Sequence, residues 1–361
     1  MKNKNKYALP VLLILILFSI SCSRKVTVQN VKKDYIIYPS PPDTTRIQFL
    51  TSISGSDNTT RQRSGFAKFI LGESVPKPVK KPYGIATRGG KIYICDSGLE
   101  CIDIIDLEKG KFEYFMPKGQ GQLRSPLNCF VDNDSKLYVA DVLRKQIVIY
   151  DWEGNYLGSI GEKDNFKPTD VFVYHNKIWI VNLANNAINV YDKITSRLLY
   201  TFPQSAPGND DYLYSPTNMY IRNDTVYVSD MGDFKIKLFL TDGRYLKSVG
   251  NLGTQVGQMV RPKGIAVDRE SNLYVVDAGI ENTQIFNRDG KLLMFFGGTY
   301  QGRGGMWLPA KITIDYENLK YFQKYVDPDF ELKYLIMVTN QFGPDKLNIY
   351  GRVDPKPDNR K

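Results

Sequence analysis

Six positions carry an oxygen-bearing side chain at the end of a short apolar run: Asp96, Asp141, Asn182, Asp230, Asp277 and Asn340. A calcium ion accepts six to eight oxygen ligands of this kind. In that reading Asp96, Asp141, Asp230 and Asp277 would supply the carboxylates. The competing reading is local, because an Asp or Asn beside a turn accepts hydrogen bonds from nearby backbone N–H groups. A residue type that returns with every repeat answers a need of every repeat. The local role is therefore expected, with no metal and no other cofactor.

Histidine is nearly absent. The one copy, His175, sits in the turn Tyr174-His175-Asn176-Lys177. A set of histidine zinc ligands cannot be assembled from it, nor a Ser-His-Asp triad of ordinary form. Phosphate loops, dinucleotide motifs and Cys-x-x-Cys pairs are also missing. Gly119-Gln120-Gly121 and Gly302-Arg303-Gly304-Gly305 read as loop glycines.

The elements that position these residues repeat along the chain. Residues 262–298 read with period 2 as four short strands separated by turn residues, a four-stranded meander. Copies begin at Pro82, Pro126, Pro168, Pro216, Pro262 and Pro309, a spacing within the roughly 40–50 residues of a propeller blade. The last copy lacks a clear fourth strand, and Ile47–Ile53 is read as the strand that completes it, pairing the two ends of the chain. The fold expected is an all-β, six-bladed β-propeller closed by an N-terminal strand. Residues 316–334 form a long, aromatic insertion in the last blade, expected to extend its first two strands or to pack on the rim.

The run Pro-x-Gly-Ile-Ala-Val-Asp, then Asn-Leu-Tyr-Val-x-Asp-Ala-Gly, then Gln-Ile-Phe-x-x-x-Gly and Phe-Phe-Gly, resembles the NHL repeat. The resemblance covers residues 46–353 and implies a propeller of the NHL/TolB-like type. NHL propellers serve as enzymes, protein binders and RNA binders, so the resemblance speaks to fold more than to function. Its amidating-lyase and streptogramin-lyase branches use histidines that this chain cannot supply. A gluconolactonase-like calcium site needs none, but glutamate is scarce on the inner strands. The proline-rich leader before Ile47–Ile53 is similar to that of bacterial lipoprotein propellers with six NHL-type blades.

The N-terminus reads as an export signal. Lys2, Lys4 and Lys6 precede a mostly apolar run at residues 7–20, shorter than the roughly 20 residues of a comfortable bilayer crossing. Ser19-Ile20-Ser21-Cys22 resembles a bacterial lipobox, which implies removal of residues 1–21 and lipidation, palmitate included, at Cys22. Ser23 after Cys22 points within that resemblance to the outer membrane. Residues 22–45 are then a proline-rich tether, 46–353 the propeller and 354–361 a polar tail. Of the remaining cysteines, Cys95 and Cys101 flank one turn and could pair, whereas Cys129 stands at an apolar position.

The formal charge is +10, with Lys and Arg scattered through loops. In a meander the blade-to-blade crossovers share a face with the turns between second and third strands. That face is the expected binding surface. It carries Tyr212, Tyr214, Phe234, Tyr300, Arg303, Trp307, Arg124, Arg144 and Lys145, residue types that anchor protein interfaces. The expected function is a non-enzymatic binding or scaffolding lipoprotein of the cell envelope, with an envelope protein or extracytoplasmic ligand as partner. Nucleic acid is not expected, since an exported chain meets little RNA. The alternative is a calcium-dependent hydrolase or lyase with its site in the central channel.

Overall fold

The computed structural model describes residues 34–58, 75–161 and 164–357. Cys22, the N-terminal segment read as an export signal, and residues 59–74 lie outside them. The protein is a six-bladed propeller. Blade 1 comprises strands Pro82–Arg88, Lys91–Asp96, Cys101–Asp106 and Lys111–Phe115, and blade 2 Pro126–Val131, Leu137–Asp141, Gln146–Tyr150 and Tyr156–Ile160. Blade 3 comprises Pro168–Tyr174, Lys177–Asn182, Ala187–Asp192 and Leu198–Phe202. Blade 4 has Pro216–Arg222, Thr225–Asp230, Lys235–Leu240 and Tyr245–Val249, and blade 5 Pro262–Val267, Leu273–Asp277, Asn282–Phe286 and Leu292–Gly297. Blade 6 is built from Pro309–Asp315, Phe330–Asn340 and Leu347–Pro355, and Ile47–Ile53 pairs antiparallel with the last of these, Ile47 opposite Arg352 and Ile53 opposite Leu347.

Burial follows position in the blade. The inner strand Pro262–Val267 is buried at every residue, because a neighbouring blade covers each of its faces. In the outer strand Leu292–Gly297 the exposed Leu293 and Phe295 alternate with half-buried Leu292 and Met294 and buried Phe296, since only one face meets a neighbour. The apolar clusters lie between blades: one joins Tyr274 and Val276 of blade 5 to Ile336 and Val338 of blade 6. Another joins Ile94 and Ile105 of blade 1 to Met337 and Ile349 of blade 6.

Tight hairpins link the first two strands of several blades. Gly89-Gly90, His175-Asn176 and Asn223-Asp224 have both central residues at positive φ, as a type I′ turn requires. His175 is thus a turn residue on the face away from the crossovers.

Two boundaries differ from those read in the sequence. Ile37–Tyr38, assigned there to the tether, pairs with Ile47 and Gln48 as a fifth strand of the blade 6 sheet. The apolar run around it finds a surface to cover: Ile36 and Tyr38 pack on the cluster that holds Phe49, Phe296 and Tyr350. At the other end Leu347–Pro355 continues through Asp354, which pairs with Arg46 at 2.9 Å. The insertion forms a short helix, Leu319–Phe322, and a 3-10 turn, Gln323–Tyr325. Phe322 and Val326 bury themselves between blades 6 and 1. Gln48 clamps the segment, donating to Tyr325 O at 2.9 Å and accepting from Asp327 N at 3.0 Å.

Cys95, Cys101 and Cys129 are buried free thiols. Cys95 faces Cys129 across the interface of blades 1 and 2 rather than Cys101. The Cys101 thiol donates to Asp103 Oδ1 at 3.4 Å, and Asp103 Oδ2, fully buried, has no hydrogen-bond partner among the described residues. Burial, reinforced by the charge of Asp96, pushes the Asp103 carboxyl up to about 8. The folded state therefore binds a proton more tightly than the unfolded chain. Its stabilising contribution is complete below about pH 4 and is lost as pH rises through about 8. Urea midpoints should fall from pH 4 to pH 8, and Asp103→Asn should flatten that slope. An unchanged slope in the variant would remove Asp103 as its source.

Candidate functional site

The recurring Asp and Asn residues pin the crossovers. Asp141 accepts from Arg124 N at 2.7 Å, Ser125 N at 3.1 Å and Arg144 N at 3.0 Å. Asp96 takes Lys80 N, Lys81 N and Gly98 N, and Asp230 takes Tyr214 N and Ser215 N. Asn182 accepts from Lys167 N, and Asn340 from Trp307 N. Each side chain is essentially buried. It joins the last residues of a crossover to the turn after the second strand, satisfying N–H groups that would otherwise be buried unpaired. The carboxylate oxygens that a calcium reading would use are occupied by backbone donors. Among the described residues no group of three or more His, Cys, Asp or Glu converges on a metal position.

The residues singled out on the crossover face fall into separate clusters. Tyr212 and Tyr214 meet edge to face at 4.8 Å in crossover 203–215. Tyr300 and Trp307 stack at 6.2 Å in crossover 298–308. Between them crossover 251–261 exposes Leu252 and Val256. Tyr214, Trp307 and, in the adjoining turn of blade 6, Phe342 are 41%, 48% and 48% exposed. Arg303 is exposed with its guanidinium 5.8 Å from the Phe49 ring. Arg124 and Lys145 are exposed, and Lys145 and Phe234 occupy the left-handed last position of their turns. Arg144 is the exception, because its guanidinium is spent on its own blade. It donates to Gln120 O, Gln122 O and Gln146 Oε1.

Lys237 supports the Tyr212–Tyr214 pair from beneath. Its buried amine lies 2.8 Å from Asp233 and 3.5 Å from Asp230, donates to Tyr212 O, and stands 5.4 Å from the Tyr214 ring. A lysine in the apolar run Lys235–Leu240 was the signal for it, since such a residue needs an acid within reach.

The channel holds a second polar group. Counting two residues past each blade-opening proline gives Gly84, Asn128, Asp170, Asn218, Gly264 and Lys311. Lys311 donates to Asp170 and, at 3.2 Å, to Asn218 Oδ1, reaching across from blade 6 to blades 3 and 4. Asn128 Nδ2 donates to Thr169 O at 2.6 Å and Asn218 Oδ1 at 3.3 Å. Met219 N and Val171 N donate to Asp170. Burial pushes the Asp170 carboxyl up, although Lys311 opposes it. At the two glycines the strands press together: a Cβ on Gly84 would stand 2.5 Å from Asn128 Cα, and one on Gly264 2.5 Å from Lys311 Cα. This network closes the channel. On the side away from the crossovers lies a cavity of about 270 Å³, walled by Phe130, Phe172 and Tyr220 and floored by Asp170 and Lys311.

The architecture has known counterparts. No family model and no curated protein sequence matches the chain. Among solved structures, a protein of unknown function from Bacteroides thetaiotaomicron is similar at TM-score 0.58 and 15% identity, over 86% of this chain and 76% of that one. A streptogramin B lyase matches at TM-score 0.52 and 14% identity, over 80% and 86%. A catalytically inactive virginiamycin B lyase from Staphylococcus aureus with quinupristin matches at 0.52 and 17%, over 78% and 86%. At these identities the likeness is one of fold.

The sequence reading missed the channel residues and Lys237. The polar side chains at the third position of the inner strands were legible once the six repeats were superposed. Which of them meet was not, because the contacts run between blades far apart in the chain.

Proposed function

We propose that this chain is a non-enzymatic binding propeller of the bacterial cell envelope, of NHL type and lipid-anchored through Cys22, that docks a protein partner on its crossover face. One observation carries this reading. Three consecutive crossovers, into blades 4, 5 and 6, expose Tyr214, Leu252, Val256 and Trp307, with Phe342 beside them. A run of exposed aromatic and aliphatic side chains rimmed by polar loops is the signature of an interface. Among the described residues no helix is long and apolar enough to cross a membrane; in this reading the attachment is the lipid on Cys22.

The calcium-dependent alternative finds less support. Asp170, the carboxylate at the channel's polar closure, is bonded to Lys311 and to two backbone N–H groups.

The test is crosslinking in native membranes followed by mass spectrometry. One envelope protein should be recovered in near-equal amount. Tyr214→Ala with Trp307→Ala should weaken its binding roughly 700-fold or more, at ~1.4 kcal/mol per tenfold and about 2 kcal/mol or more for each anchor. Equal recovery with the double variant would overturn the site.

A further inference from the structure

Lys263 is the second residue of the blade 5 inner strand. Its amine leaves its own blade and stands 5.3 Å from the centroid of the Tyr83 ring on blade 1, with blade 6 lying between the two. It therefore lies inside the ring of inner strands. Those strands start at the crossover face, so their second residues sit on the crossover side of the third-position network around Lys311. The Tyr83 hydroxyl reaches toward that network and has the Asn218 side chain beside it.

Lys263 is 5% exposed. Among the described residues its amine has no hydrogen-bond acceptor and no carboxylate partner. The other charges that bear on it are Arg261 and Lys81, both cations. Lys237 and Lys311 are similarly buried, yet each is paired with aspartate. A buried ammonium without a counter-charge is costly. Burial, and then Arg261 and Lys81, lower the Lys263 amine to about 8, which still leaves it mostly protonated at neutral pH. What the site lacks is negative charge, and it lies on the crossover side of the network around Lys311.

We propose that the crossover-side mouth of the channel binds a compact oxyanion, a phosphate or carboxylate group, held by Lys263 with Arg261 and Lys81 at the rim and Tyr83 as the wall. An ammonium bonded to an oxyanion makes a short, charge-assisted hydrogen bond, strengthened where water is scarce. The formal charge of +10, or +7 without Lys2, Lys4 and Lys6 of residues 1–21, draws such solutes toward the protein. This site stands independently of the aromatic surface and of any protein partner.

Thermal unfolding of the intact mature chain tests it, with inorganic phosphate and with acetate, each against chloride at matched ionic strength. The midpoint should rise by several degrees with at least one of the two oxyanions. The rise should vanish in Lys263→Met and shrink in Arg261→Gln. Phosphate alone would mark a phosphate-bearing ligand, and both together a general oxyanion site. No rise with either, or an equal rise in Lys263→Met, overturns the proposal. Amine labelling with acetic anhydride, read by peptide mass spectrometry, keeps the test decisive if that variant misfolds. The effective oxyanion should slow modification of Lys263 at least 5-fold and leave exposed lysines unchanged. Undiminished labelling overturns the proposal equally.

Discussion

Asp170→Ala is expected to cost about 3–5 kcal/mol of folding stability, the loss that follows when one partner of a buried ion pair is removed. The amine of Lys311 would remain inside the channel with only Asn218 Oδ1 to bond. Met219 N and Val171 N would lose their acceptor as well. Because the pair spans opposite blades, the damage should spread across the ring and lower the midpoint of the whole urea transition. The double variant Asp170→Leu with Lys311→Met should recover most of the loss, since apolar replacement of both partners is often neutral. A single variant within about 1 kcal/mol of the parent would show that the pair adds nothing. A double variant no better than the single would show that the cost lies in the backbone bonds.

Asp277→Ala should be nearly as severe, at about 3 kcal/mol, for a different reason. Its carboxylate accepts from Val260 N at 2.7 Å, Arg261 N at 3.0 Å, Gly279 N at 2.7 Å and Ile280 N at 3.3 Å. Bonds to a charged acceptor are worth about 1.5–3 kcal/mol each, but water can reach part of this turn, so the losses do not sum. The effect should be local. Hydrogen exchange should quicken at Val260, Arg261 and Gly279 while blades 1 to 3 keep their protection. Asp277→Asn, which keeps one acceptor oxygen, should restore about half. Protected amides in the alanine variant would mean that the backbone holds the crossover without this side chain. The same variant would loosen the loop carrying Leu252 and Val256, so partner binding should weaken with it.

Much of this was legible in the residues. Six prolines, five copies of a four-strand pattern and a sixth short of one strand define a ring of blades, because each repeat must bury its faces against its neighbours. The recurring Asp and Asn could be read as local turn acceptors, since a bond within one repeat needs no knowledge of the others. The crossover face followed from strand direction alone. That Ile37–Tyr38, read as part of the tether, pairs at the edge of blade 6 was not legible, because the surface it covers is built from residues some 250 positions away in sequence, such as Phe296. Arg144 looked like any exposed loop arginine until the fold aimed it at its own crossover carbonyls. The channel was decided by tertiary structure in full. Lys311 and Asp170 form an ion pair, whereas Lys263 is left beside Tyr83, Arg261 and Lys81. Local pattern sets the spacing within a blade, but charge partners across a ring are chosen by closure, which brings together residues that no sequence interval relates.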